Sequence, residues 1–147
     1  MPLRDRGRIL ITGTTGQVGG EILRLFPHAL APTRADLDLT SEACIRAYLR
    51  THRPSWIINA AAYTAVDKAE SEPDLAHAIN ADAPRILGEE AASIGAPVIH
   101  FSTDYVFSGE GSTPYVETDP THPASARVTA PGSFSSFCLL PPRQCRS

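Results

Sequence analysis

Three glycines, Gly13, Gly16 and Gly19, stand three residues apart directly after the β-branched run Arg8-Ile9-Leu10-Ile11-Thr12. This GxxGxxG spacing between a strand and a helix suits a pyrophosphate. The first glycine permits a tight turn, the second lets backbone approach the phosphates, and the third lets helix and strand pack closely. The helix that follows offers free N–H groups and the positive end of its dipole. A glycine-rich turn that binds nothing is the bland alternative, and the flanking strand and helix weigh against it. Arg34 carries a fork of donors suited to a 2′-phosphate, where an acidic residue would hold a ribose diol instead. Arg34 reads equally well as a solvated loop charge. Thr103 follows a later apolar run, Pro97 to Ser102, where its hydroxyl can hydrogen-bond a carbonyl oxygen as negative charge grows there. Ala60, Ala61 and Ala62 keep the end of another strand clear of large side chains. Singly, these small residues and Thr103 also fit strand-end packing; in order behind a glycine turn, they fit a site.

The elements that must hold these residues are legible in outline. Val18, Ile22, Leu25 and Phe26 predict one apolar helix face, stopped by Pro27. Ala29 to Pro32 is a weak strand candidate, and a polar loop with Arg34, Asp36 and Asp38 leads to a helix over roughly 41–52. Trp56 to Asn59 reads as a strand. Residues 73–94 are helical in pattern, with Leu75, Ile79, Ala83, Leu87 and Ile94 on one stripe. Pro84 predicts a split or kink there, because proline lacks an N–H and crowds the preceding turn. Gly95 ends that helix and Pro97 to Ser102 forms the next strand. Strands alternating with helices predict parallel pairing and a doubly wound α/β sheet.

The 147-residue chain fits one domain, and its 42% apolar and 20% charged content is that of an ordinary globular protein. A net charge of −3 gives no reason to expect nucleic acid or an anionic membrane as partner. No stretch approaches the ~20 apolar residues that span a bilayer, and Ile9 to Ile11 is too short for a signal-peptide core, so a cytoplasmic location is expected. Cys44, Cys138 and Cys145 are an odd number without metal-ligand spacing, and Cys44 reads as a core residue of its helix. The five histidines show no ligand spacing either, so no metal is expected. Asp67, Lys68 and Glu70 read by default as a solvated face.

Several longer stretches carry a resemblance. ILITGTTGQVG (9–19), NAAAYTAVDKAESE (59–72), INADAP (79–84), VIHFSTDYVFSG (98–109) and TPYVETDP (113–120) are similar to the dTDP-4-dehydrorhamnose reductase family, of the extended short-chain dehydrogenase/reductase type. The matches run in order from about residue 8 to residue 126. The resemblance implies a Rossmann-type sheet and NAD(P)H-dependent reduction of the 4-keto group of a dTDP-linked 6-deoxyhexulose, towards dTDP-L-rhamnose. NADPH is favoured over NADH only through Arg34. By position, Gly13, Gly16, Gln17 and Val18 would contact the pyrophosphate, and Asp38 and Leu39 would lie by the adenine. Ala60, Ala61, Ala62 and Tyr63 would line the cofactor towards the nicotinamide ribose. Thr103 would be the catalytic hydroxyl, with Asp104 and Tyr105 beside it at the substrate. The Asp67 to Glu70 segment would border the substrate cleft, and a homodimer is a feasible assembly of the intact family. Two other readings share parts of the pattern. One is a non-catalytic, NADP-binding regulatory subunit like the β subunit of methionine adenosyltransferase. The other is a nucleotide-sugar epimerase or dehydratase, which shares the glycine turn but not the STDYVF and AVDKAE combination.

The resemblance also implies a tyrosine with a lysine four positions on, the pair that protonates the new alkoxide. The four tyrosines, Tyr48, Tyr63, Tyr105 and Tyr115, have His52, Asp67, Gly109 and Asp119 at that position, and Lys68 is the single lysine. No such pair is present. After Ala126 the family pattern stops, no acidic residue follows Asp119, and periodicity is lost. The expected organisation is therefore an incomplete Rossmann domain over 1–126 and an irregular tail over 127–147, with a frameshift or gene-model error near Ala126 as the explanation. Such a chain is expected to be marginally stable, with an open parallel edge, and inactive alone.

Overall fold

In a computed structural model, the described residues are 7–65 and 71–101, with Phe107, Pro114 and Val116. Strand β1 is Ile9–Thr12, β2 is Trp56–Asn59 and β3 is Val98–His100. They form a parallel sheet in the order β1-β2-β3, with Ile9 opposite Trp56, Thr12 opposite Asn59 and Asn59 opposite His100. The weak strand candidate over 29–32 contributes a single parallel bridge, Leu30 to Leu10, on the free side of β1. Leu30 N–H donates to Ile9 O at 2.7 Å, and Ile11 N–H donates to Leu30 O at 2.9 Å. Pro32 has no N–H with which to continue such a ladder.

Helix α1, Gln17–Leu25, connects β1 to Leu30, and α2, Glu42–His52, returns the chain to β2. Between β2 and β3 run a short helix α3, Pro73–His77, a π-helical turn, Ala78–Asp82, and helix α4, Ala83–Ile94. Alternate strand residues face opposite sides, as strand geometry requires. Leu10, Ile57 and Val98 pack with Ile45 and Leu49 of α2 and with Ile86, Leu87 and Ala91 of α4. Ile9, Ile11 and Ile58 face the other way, towards Ile22, Leu23 and Phe26. Each fully buried Leu or Ile contributes about 1.5–3 kcal/mol relative to exposure. The described sheet thus has α1 on one face and α2 with α4 on the other, a Rossmann-type arrangement.

The predicted face of α1 is corrected by the structure. Ile22 and Phe26 pack inward together with Leu23, but Val18 is 51% exposed and Leu25 66% exposed. Gly19 sets this rotation. A Cβ there would fall on the carbonyl oxygen of Gly13, so only glycine fits. Facing Gly19 inward brings its neighbours three, four and seven positions on over the sheet. Val18 and Leu25, each one place before that stripe, turn outward.

The outer side of α2 and α4 is pinned by ion pairs. The buried Glu90 accepts from Arg46 at 2.8 Å and from Arg50 at 2.7 and 3.0 Å, while Arg46 also reaches Glu42 and Glu89. Hydrogen bonds from Arg50, then Arg46, hold the Glu90 carboxyl below the usual carboxylate range. A buried carboxylate is tolerated because every bond it accepts here comes from a guanidinium.

Candidate functional site

β1 has Leu30 on one side and β2 on the other, so the chain leaves its carboxyl end in one direction and resumes on the opposite side. Open α/β sheets form their ligand crevice at such a switch point. A cleft of about 370 Å³ lies there, lined by Thr12 to Gly16, Pro32 to Arg34, Leu37 to Thr40, Ala60 to Ala62, and Ile79. The sheet order puts the 32–40 loop at one end, the glycine turn in the middle and residues 60–62 at the other.

The glycine turn is built by close approach. Gly13 has φ +70°, and a Cβ on it would stand 2.5 Å from Ala61 N and 2.6 Å from the carbonyl carbon of Ala60. Side chains are excluded there by strain and by space. Gly16 N–H donates to Gly13 O at 3.0 Å, closing the turn. Gly16 then caps α1 with an extended backbone (φ −84°, ψ 170°) and no side-chain bond, and α1 has no acidic residue in its first turn. The first N–H groups of the helix therefore lack a side-chain acceptor beside the cleft. That cradle fits the phosphates of a dinucleotide.

The 32–40 loop is internally tied. Thr33 donates through its N–H (3.0 Å) and its hydroxyl (2.7 Å) to one oxygen of Asp36, and Asp36 N–H and Leu37 N–H return to Thr33 O. Asp38 accepts from the N–H (2.9 Å) and hydroxyl (2.7 Å) of Thr40, and its own N–H donates to Cys44 Sγ at 3.4 Å. Both carboxyls are held below their usual range. For Asp36 the Thr33 hydroxyl is the larger cause, and for Asp38 the Thr40 backbone N–H. Arg34 is exposed on the cleft rim.

At the carboxyl ends of the strands, Thr12, Asn59 and His100 share one row of the register. Thr12 Oγ1 donates to Asn59 Oδ1 at 2.5 Å, and Ala61 N–H donates to the same oxygen at 3.3 Å. Asn59 Nδ2 lies 3.1 Å from His100 Nδ1, so the ring nitrogen accepts. Burial pulls the His100 pKa below its ordinary value, against an opposing hydrogen bond with the Asn59 backbone. A neutral ring is the form compatible with that acceptor role.

Of the residues expected at a site, Gly13, Gly16, Arg34, Asp38, Leu39, Ala60, Ala61 and Ala62 line one cleft. Gln17 and Val18 open α1 immediately beyond Gly16, outside the lining. Tyr63 stands one residue past it, its hydroxyl donating to Glu72 at 2.5 Å. Thr103, Asp104 and Tyr105, with Asp67, Lys68, Glu70 and the 127–147 tail, lie outside the described residues. Thr33, Thr40, Ile79 and Asn80 were not foreseen. Their signals were weak: Thr-x-x-Asp at 33–36, Asp-x-Thr at 38–40, and an asparagine four places before Pro84. Among the described residues no acidic, His or Cys cluster could hold a metal, and no helix is long and apolar enough to cross a membrane.

The sheet, its switch-point cleft and its glycine turn define a Rossmann-type α/β chain with a crevice of the kind that receives nucleotides. The chain belongs to the family described as RmlD substrate binding domain, whose model matches residues 7–130. A dTDP-4-dehydrorhamnose reductase from Streptomyces griseus is 44% identical over 122 residues, covering 80% of this chain and 40% of that protein. The crystal structure of a dTDP-4-dehydrorhamnose reductase from Clostridium acetobutylicum superposes with a TM-score of 0.77 at 41% identity, covering 82% of this chain and 44% of the other. The Bacillus anthracis enzyme of the same name, solved in complex with NADP, gives 0.76 at 33% identity over 83% and 45%. This chain therefore spans less than half the length of these relatives.

Proposed function

We propose that this chain is the cofactor-binding part of an NADPH-dependent reductase acting on a dTDP-linked 4-keto-6-deoxyhexose, as dTDP-4-dehydrorhamnose reductases do. The observation that carries this reading is the glycine turn: Gly13 pressed against Ala60–Ala61, and an uncapped helix start opening on the cleft. Gly13, Gly16, Gln17 and Val18 would receive the pyrophosphate, Asp38 and Leu39 the adenine side, and Ala60, Ala61, Ala62 and Tyr63 the nicotinamide side. Arg34 on the rim supports NADPH over NADH, because its donors match a 2′-phosphate. When bound, the cofactor would supply hydride to the sugar C4. Thr103 would hydrogen-bond the carbonyl oxygen, beside Asp104 and Tyr105. A proton must then reach that oxygen, and no tyrosine with a lysine four positions on exists in these 147 residues to deliver it. Residues 1–126 would form the cofactor-binding portion and 127–147 an appended tail.

The test is a titration of the purified chain with NADPH and NADH, followed by quenching of the single tryptophan, Trp56 on β2. Saturable binding with NADPH the tighter ligand is expected. Gly16→Asp, which sets a carboxylate at the helix start, should weaken binding by more than about tenfold. Wild-type protein that folds and binds neither dinucleotide would refute the reading. Turnover of a dTDP-4-keto sugar by the chain alone would refute its dependence on an outside proton donor.

A further inference from the structure

Beyond Asn59 the chain leaves the β-ladder, yet its next residues line the cleft. Backbone groups that lose their strand partners need others. Ala61 N–H finds the Asn59 side chain. Tyr63 is held by a residue seventeen positions away: Asn80 Oδ1 accepts from Tyr63 N–H at 2.8 Å, and Asn80 Nδ2 donates to Tyr63 O at 3.1 Å. One carboxamide thereby engages both backbone groups of one residue, as a neighbouring strand would.

Asn80 sits in the π-helical turn, where Ala83 N–H bonds to Ala78 O, five residues back. Pro84 accounts for that turn. In an unbroken α-helix the N–H of residue 84 would bond to Asn80 O, but proline has none and its ring crowds that carbonyl. Widening the helix by one residue relieves the crowding, and such insertions recur at functional sites. The same turn places Ile79 in the cleft wall. The two anchors on the 60–63 segment, Asn59 at Ala61 and Asn80 at Tyr63, bracket Ala62.

We infer that Asn80 is a positioning residue that fixes the backbone of Ala60 to Tyr63 at the nicotinamide end of the cleft, with Pro84 supplying the turn that presents it. The inference rests on the dinucleotide reading above. It assigns Asn80 no contact with the cofactor. Its action is to hold one wall of the cleft in a single shape, so that the ligand need not order that wall on binding. The opposite end, around Thr33 to Thr40, is tied by its own bonds and is independent of Asn80.

That independence makes a test. Affinities of the full chain for NADPH and for 2′,5′-ADP, which carries only the adenosine end, are compared in wild type, Asn80→Ala and Asn80→Asp. Asn80→Ala should weaken NADPH roughly tenfold and leave 2′,5′-ADP within about twofold. Asn80→Asp keeps the acceptor for Tyr63 N–H and loses the donor, so it should fall between; it carries the comparison if the alanine variant does not fold. In the ligand-free protein, exchange of the Tyr63 amide should accelerate while amides of β1 and β2 keep their protection. Equal loss for both ligands, an unchanged NADPH affinity, or unaltered Tyr63 exchange would each overturn the inference. Wild-type protein that binds 2′,5′-ADP and NADPH normally beside an indifferent Asn80→Ala leaves the dinucleotide reading standing. Wild type that binds neither removes both.

Discussion

Helices α1 and α2 begin in opposite ways. At α2, Ser41 turns its hydroxyl onto Cys44 N–H at 3.3 Å and Glu42 adds a negative charge to the first turn. The free N–H groups and the helix dipole are met from within the chain. At α1 the cap is Gly16, with no side chain to turn, and the first turn holds no acid. The same physics that stabilises one helix start has been withheld from the other, and the one left bare faces the cleft. What sets α1 apart is that its glycine cap and acid-free first turn lie beside the cleft, where the phosphates of the proposed cofactor could take the place of a cap.

Three substitutions would break or sharpen that contrast. Gly13→Ala should have the largest effect, because it forces a side chain into a positive φ and onto the backbone of Ala60 and Ala61. A loss of roughly 2–5 kcal/mol in denaturant unfolding is expected. A stable, NADPH-binding Gly13→Ala protein would mean the turn is looser than described. Gln17→Glu gives α1 the acidic first turn that α2 already has. The ligand-free protein should gain up to about 1 kcal/mol, while NADPH binding weakens by about tenfold. If affinity is unchanged, phosphates do not sit at this helix start. Ser41→Ala should be the smallest, costing about 1 kcal/mol in stability and leaving NADPH affinity as it was. A matching loss of affinity would show that the two helix starts are coupled rather than separate.

Much of this was legible in the sequence. Ser41, the glycine turn, Pro27 and Gly95 marked the helix bounds to within a residue or two, because caps and breakers act through local backbone chemistry. The α/β class followed from alternating periodicities, and the cleft-lining alanines from their place after a strand. Other features were not readable. The apolar pattern of α1 put Val18 and Leu25 on the inner face and passed over Leu23, and the absent Cβ of Gly19 against Gly13 decided otherwise. Pro84 announced a disturbance but not its form, since a kink, a break and a π-helical turn all satisfy a missing N–H. Asn80 is one polar residue beside the apolar stripe of its helix, and only the folded chain brings it to Tyr63.

The sequence by itself determined the order of the three strands and the main helices, where the glycine turn lies, and that no tyrosine–lysine pair is present. Those are properties of local spacing and residue type. The tertiary structure alone decided which way α1 faces, that Thr12, Asn59 and His100 share one row, and that Asn80 holds Tyr63. Each depends on groups far apart in the chain meeting at van der Waals or hydrogen-bond distance, and distance in space is not written in the spacing of a sequence.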